Sequence, residues 1–455
     1  MQDRKSAIEI ASQAIENAKK FGADEAEAVI FDSSDISAKQ RLGKTESIEK
    51  SDSNGLGLRV LKKGKKGYKT AIVSSNDFAP ETIKSLAETA VQMADIAPED
   101  EYIALADDSL FAKITDDEIS ALELCDKKEL TSDELKDIAA EAEDTAMSVK
   151  GVTNSDSAEA SFSKSVSALV TSKGFASAYE SSSFSAYAAV IAGTDTNMET
   201  DYDYSSSRFL SDLKSPKEIG LEAGRRAVER LNPKKIKTCQ VPIIFEKRVA
   251  RSLLGHLSGA INGSAIARGT SFLKDKMGEQ IFSKNINIVD DPFRKRGLAS
   301  EPFDAEGVRG QKLNLVEDGV LKSWVLDIRS ANKLGLKTTG HASRGTSSPP
   351  HPSSSNLYME NGDISFEDMI ASIENGLFLT DAFGMGVNDV TGDYSQGASG
   401  LWIENGKISY PVSEITIAGN LTSMFKSLTP ANDLEFLYGK NCPTLRIDGM
   451  TIAGN

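Results

Sequence analysis

Chemistry in this chain has few residues to draw on: three histidines and three cysteines among 455 residues. His256 lies in EKRVARSLLGHLSGAING, Glu246 to Gly263, where Val249, Leu253, Leu254, Leu257 and Ile261 recur at helical spacing as one apolar arc. A helical histidine invites zinc, and two such ligands share a face when they stand three or four residues apart. Ser252, Leu253, Gly259 and Ala260 fill those positions, and none of them binds zinc well. A lone imidazole holds no metal, so His256 is expected to be a packed histidine with a hydrogen-bond partner. His341 and His351, with Asp381 or Asp393, could compose a metal site, but their spacing does not favour one. Asp393, in Thr391–Ser395, is expected to hold its loop through side-chain hydrogen bonds. Ser395 has no GxSxG elbow and no evident base, and Glu414 is a candidate buried carboxylate between strand residues.

The elements that must position these groups follow from periodicity. Val241–Phe245 reads as a buried strand leading into the helix. The helix carries a second stripe of small residues, Ser252, Gly255, Gly259 and Gly263. Helical glycine costs about 1 kcal/mol relative to alanine, so the stripe predicts that another backbone approaches closely. Upstream, an amphipathic helix carries Ile8, Ala11, Ile15 and Ala18 and ends at Gly22. Strands are expected at Glu27–Phe31, Ile36–Leu42, Gly55–Leu61 and Gly67–Val73, and a helix at about Pro80–Ala94. Pro98–Asp126 reads as an irregular acidic connection. Thr131 with Glu134 and Ser215 with Glu218 have capping-box spacing and start two further helices. Between them, serine and alanine alternate with larger residues over Ser157–Ala192, predicting long antiparallel strands that turn at Ser172-Lys173-Gly174.

Asn232–Gln240 is polar, contains Pro233 and separates an α+β N-terminal domain, 1–232, from a β-rich C-terminal domain with antiparallel sheets, 241–455. Hairpins are predicted at Glu317-Asp318-Gly319 and Glu404-Asn405-Gly406. Lys337–Ser355, rich in Gly, Ser and Pro, reads as a mobile loop, and Asn420 as the cap of a short helix. TIAGN occurs at Thr416–Asn420 and again at Thr451–Asn455, weak evidence for an internal duplication. A net charge of −15 argues against a nucleic-acid surface. Widely spaced Cys125, Cys239 and Cys442 fit a reducing cytoplasm rather than a disulfide framework. The charged N-terminal helix is not the pattern of a signal peptide, and no apolar run approaches the ~20 residues that span a bilayer.

Three stretches resemble the TldD/PmbA family: SSFSAYAA in the middle, DGVLKSWVLDIRSANKLGLKTTGHA at Asp318–Ala342, and VTGDYSQGASGLWIENGKISYPVSEITIAGNL at Val390–Leu421. The similarity covers nearly the whole chain and is to the PmbA, or TldE, branch. The resemblance implies a cytoplasmic metallopeptidase of two related subunits, TldD and TldE, enclosing a cavity that admits peptides and unfolded polypeptides. In that family the TldD-type subunit carries an HExxxH helix and a later cysteine as zinc ligands. The matching positions here are Gly255, His256 and Ala260, with Tyr438 before Gly439-Lys440 as the counterpart of the cysteine. The expectation is therefore a subunit with no cofactor of its own and no catalytic residues, zinc residing in a TldD-type partner. Gly259, Gly263, His341, Asp393, Tyr394 and Ser395 are candidate substrate-cavity residues. Alternatives are a non-catalytic homodimer that binds peptides or a protein client, and, from the family's older description as modulators of DNA gyrase, a regulator of a gyrase-linked toxin/antitoxin pathway. No direct nucleic-acid or membrane partner is expected.

Overall fold

Alternation of small and larger residues along the first half produces strands of unusual length. The computed structural model describes residues 1–454. Its first half is one seven-stranded antiparallel sheet, in the order Glu99–Asp100, Tyr68–Ser75, Lys44–Lys63, Glu25–Arg41, Val152–Thr171, Ala176–Thr194, Asn197–Ser207. The two strands expected within 27–42 are one, because the polar run Asp32–Asp35 is paired on both sides, with 51–54 and 163–166. The Ser/Ala-rich region forms the predicted pair of strands, and Gly174 takes the left-handed turn conformation (φ 103°) between them. The acidic connection is less irregular than expected: Thr115 caps a helix, Asp116–Ala121, with a reciprocal bond to Glu118.

The two faces of this sheet have different fates. Ala28, Ile30, Leu58, Val60, Val166 and Ala168 pack on the helices Arg4–Lys20 and Pro80–Ile96. Further along, Ala158, Ala186, Ala188 and Val190 pack on the helices Ser132–Met147 and Pro216–Glu229. Both of these begin with the capping boxes read from the sequence. They cross closely, since a Cβ on Gly220 would overlap the carbonyl oxygen of Ala142 and one on Gly224 would crowd Val149.

From Cys239 onward strands outnumber helices among the regular elements, in an eight-stranded mixed sheet, a five-stranded sheet and a two-stranded ribbon, joined by long irregular segments. Ile243–Phe245 is buried in the eight-stranded sheet, parallel to Asn375–Phe383 and antiparallel to Leu445–Ile447. Both predicted hairpins form, each with two left-handed residues at its turn: Asp318 and Gly319, Asn405 and Gly406. The first three residues of each pentapeptide meet in one ladder, Thr416 opposite Ala453, Ile417 opposite Ile452 and Ala418 opposite Thr451, while Asn455 lies outside the described residues. Glu414 is exposed, paired with Lys235 at 2.8 Å, and not a buried carboxylate. With four long helices on one face of an antiparallel sheet and a β-rich second half, the fold is α+β.

The second half covers the other face of the seven-stranded sheet. Phe175 meets Phe303 with ring centroids 5.0 Å apart. Arg344, fully buried, pairs with Glu27, which also takes Arg59 at 3.0 Å. Thr346 lies so close to the sheet that a Cβ on Gly57 would overlap its carbonyl oxygen. The segment Lys337–Ser355 is thus no free loop: Ala342–Ser343 pairs with His351–Pro352, and His341 and Arg344 are buried within it. No helix among the described residues is long and apolar enough to cross a membrane.

Gly57→Ala should lower stability by about 1–3 kcal/mol, the usual cost of overpacking. A urea denaturation curve of the full chain checks this; an unchanged midpoint would show that the Thr346 loop is free to lift.

Candidate functional site

The helix that follows the central strand spans Lys247–Ala260 and buries the predicted arc, Val249, Leu253, Leu254 and Leu257, in the largest core. Its start is unusual in sequence. Lys247, Arg248 and Arg251 stand in the first turns, where the helix dipole favours acids. Distant acids balance two of the three: Lys247 pairs with Glu435 at 3.1 Å, and Arg248 joins a wider network. Arg248 donates to Asp201 at 2.9 Å, to the Tyr202 carbonyl at 3.0 Å and to the Thr380 carbonyl at 3.2 Å. Glu246 pairs with Arg226 at 2.8 Å. Arg230 reaches Asp201 at 3.2 Å and Asp381 at 3.6 Å. Burial pushes the Asp201 carboxyl up, but the bond and charge of Arg248 outweigh it and hold the group below its usual range. Burial prevails at Glu246, whose carboxyl is raised despite Arg226 and Arg248.

Three open cavities surround this ion network, of about 380, 440 and 440 Å³, and Arg248 lines all of them. A fourth, of about 520 Å³, runs along Ser205–Arg208 and shares Tyr438 with two of the three. Tyr438 lies under Arg251, whose guanidinium carbon is 4.1 Å from the ring centroid, and beside Tyr204 at 5.4 Å. Burial pushes its phenol well above the usual value.

The other positions singled out in the sequence scatter. Gly255 and Gly259 face open space, so the expected close approach of a backbone does not occur there. Gly263 belongs to a separate short helix, Gly263–Arg268, because Asn262 interrupts the first helix and caps the second; a Cβ there would crowd Leu326 and Ser330. Ala260 is buried in the core. His256 is half-buried with its ring edge-on to buried Tyr394, 5.9 Å between centroids, in place of the expected hydrogen bond. Burial lowers its pKa, against the pull of Asp389 and aided by Lys440. Asp393 accepts from Thr391 Oγ1 at 2.7 Å and Asn420 Nδ2 at 3.1 Å, so it ties its loop to the cap of the helix Leu421–Lys426, as its setting predicted. Ser395 is exposed beside it. None of Gly255, His256, Gly259, Ala260, Gly263, His341, Asp393, Tyr394 or Ser395 lines the four cavities.

His341 is neither a surface histidine nor a cavity wall. It is buried against Asp290, 3.0 Å from Nε2, and Ser355 donates to the same carboxylate. Asp290 and its charge raise the imidazole pKa, against the effect of burial, which is the largest influence. His351 is exposed, and Asp381 belongs to the Arg230 pair, so the composite site does not assemble. Among the described residues no three His, Cys, Asp or Glu groups are placed to hold a metal ion. A small cavity of about 120 Å³ at the seam between the halves is lined by Val29, Tyr179, Glu301, Asp304 and Arg344. Burial, with Asp304 and Asp290 nearby, drives Glu301 well above its usual range, and burial brings Asp304 to about 6.

Comparison with known proteins comes to one family. Models described as PmbA/TldA metallopeptidase domain 1, central domain and C-terminal domain match residues 26–94, 125–231 and 238–454. The metalloprotease PmbA of Escherichia coli O157:H7 is 37% identical over 453 residues, 99% of this chain and 97% of that protein. A PmbA homologue of Haemophilus influenzae is 36% identical over 98% of this chain and 95% of its own length. The crystal structure of a Bacteroides thetaiotaomicron protein described as a modulator of DNA gyrase superposes with a TM-score of 0.89 at 26% identity, covering 98% of both chains. TldE from Thermococcus kodakarensis shares the fold, with a TM-score of 0.84 at 24% identity over 98% of this chain and 100% of that one.

Gly255→Ala and Gly259→Ala should each raise stability, by roughly 0.5–1 kcal/mol, since the added methyls meet nothing and helical glycine is unfavourable. Denaturant midpoints decide it; a loss would mean that something covers that face. Glu301→Gln should flatten the fall of stability with pH. The native carboxyl keeps a proton that the unfolded chain releases, so its contribution is full below the ordinary value of 4.5 and is lost as pH rises through the raised native value. Melting temperatures at about pH 5 and about pH 8 should differ less in the variant than in the parent, and equal slopes would refute the assignment.

Proposed function

We propose that this chain, which belongs to the PmbA/TldD family of metallopeptidases, is a PmbA/TldE-type subunit that pairs with a TldD-type chain to process peptides and unfolded polypeptides in the cytoplasm. The observation that carries this reading is the donor set at the positions where a TldD-type chain holds zinc. Gly255 offers no side chain, Ala260 a buried methyl, and Tyr438 a half-buried phenol beneath the guanidinium of Arg251. His256 lies against Tyr394. One imidazole, with a cation over the phenol that stands in the cysteine's place, does not fit a zinc ion. The hydrolytic chemistry therefore belongs to the partner.

What this chain contributes is shape and a strand edge. Asn197–Ser207 is the terminal strand of the large sheet, and cavities lie along its residues 201–207. An extended peptide can add to such an edge through main-chain bonds, which read no side chain and suit a varied set of unfolded substrates.

Co-expression with a TldD-type chain should yield a mixed dimer that hydrolyses peptides, and mutating the partner's zinc helix should abolish activity. Metal analysis of the isolated chain should show far less than stoichiometric zinc. Only homodimers on co-expression, or one zinc bound per isolated chain, would overturn the reading.

A further inference from the structure

The cavity of about 440 Å³ between the first turns of the helix Lys247–Ala260 and the turn Tyr438–Lys440 has an uneven charge inventory. Its three cations are Arg248, Arg251 and Lys440, and its one acid is Asp381. Arg248 is matched by Asp201. Asp381 faces Arg230 at 3.6 Å. Arg251 and Lys440 have no carboxylate within salt-bridge distance among the described residues. The guanidinium of Arg251 makes one bond, to the Arg248 carbonyl at 3.1 Å, and its carbon sits over the Tyr438 ring, 4.1 Å from the centroid. Both side chains are half-buried. Asp290, whose charge acts on Lys440, is already held by His341 and Ser355. Two uncompensated, partly desolvated cations in one cavity are unexpected in a chain of net charge −15, where acids are plentiful and pairing is the rule around the neighbouring arginines.

We propose that this cavity is a carboxylate-binding site, with the guanidinium of Arg251 and the ammonium of Lys440 as its donors. Arg251, held over the Tyr438 ring and bonded through Nε to the Arg248 carbonyl, keeps its remaining N–H groups as a planar fork that matches a carboxylate, and Lys440 adds a point charge. The hydroxyl of Ser252 is exposed on the same wall. The source of the carboxylate follows from what adjoins the site. Tyr202, on the terminal strand of the large sheet, lines the same cavity, and Tyr438 continues it into the cavity along Ser205–Arg208. A peptide lying along that strand would bring either its C-terminal α-carboxylate or an acidic side chain to Arg251 and Lys440. This rests on the peptide reading for the nature of the ligand, while the site itself rests on charge and geometry. It puts fixed cations beside the positions where a related subunit carries a metal.

The test is calorimetric binding to the isolated full chain, which needs no partner and no hydrolysis. Three probes share one apolar N-acetylated sequence: the free acid, its C-terminal amide, and an amide with a single internal glutamate. The free acid or the glutamate peptide should bind roughly tenfold or more tightly than the plain amide, and whichever binds identifies the source of the carboxylate. Arg251→Ala and Lys440→Met should each weaken that binding about tenfold, while Lys440→Arg should keep it; melting curves establish that all three variants fold. Equal binding of acid and amide, no binding of any probe, or displacement of the peptide by equimolar inorganic phosphate would overturn the proposal. Because the partner is absent, such a failure leaves the co-expression result standing, and failure of co-expression leaves this binding unaffected.

Discussion

Everything in this molecule depends on how the second half is seated on the bare face of the seven-stranded sheet. At the centre of that contact, two guanidinium groups, Arg59 and Arg344, share the carboxylate of Glu27, all with side chains at most 6% exposed. Taking such ions from water is costly, and replacing a buried pair with apolar groups is often neutral, but removing a single partner strands the others. The group therefore specifies one arrangement of the halves more than it adds stability. Glu301, Asp304 and Glu306 gather on the second-half side of the seam, raised above their ordinary range by burial. Around them the fit is set by backbone contact at Gly57 and by the Phe175–Phe303 pair.

The seating brings the terminal strand Asn197–Ser207 beside the start of the helix Lys247–Ala260. Asp201 and Arg248 join them, with Arg226, Arg230, Glu246 and Asp381 closing the network. Four cavities open around this joint, and none of their walls depends on the residues that a family metal site would use, apart from Tyr438. The surface proposed for peptides is a joint between two halves, and no single sequence window spans it.

Elements with strong local signals were legible: the capping boxes at Thr131 and Ser215, the Asp-Gly and Asn-Gly hairpins, the apolar arc of the helix and the serine–alanine strands. What failed was inference from local composition about tertiary contact. A glycine stripe does mark close approach in this fold, but the stripe is Gly220 and Gly224, in a helix read only for its cap; Gly255 and Gly259 look out on open space. The Gly- and Pro-rich segment holding His341 and Arg344 looked mobile because composition does not show that two of its side chains have buried acids waiting for them. The joint did leave one trace. Three basic residues at the start of a helix oppose its dipole, and for two of them, Lys247 and Arg248, that local conflict marked the place where distant acids had to be.

The core of the first half is built largely of alanine: Ala7, Ala11, Ala14 and Ala18 on the first helix, Ala87, Ala90 and Ala94 on the second, and Ala186, Ala188 and Ala192 on one strand, each at most 1% exposed. Each methyl forfeits little rotational freedom on ordering, and each also shields little area. Cohesion then arises from how near the layers lie rather than from the bulk between them. Such an interior reverses the ordinary asymmetry of genetic drift, since trimming a side chain leaves scant void while enlarging one wedges the layers apart. Selection on this half should act chiefly against gain of volume, giving it a narrow and distinctive alphabet for as long as the layers keep their spacing.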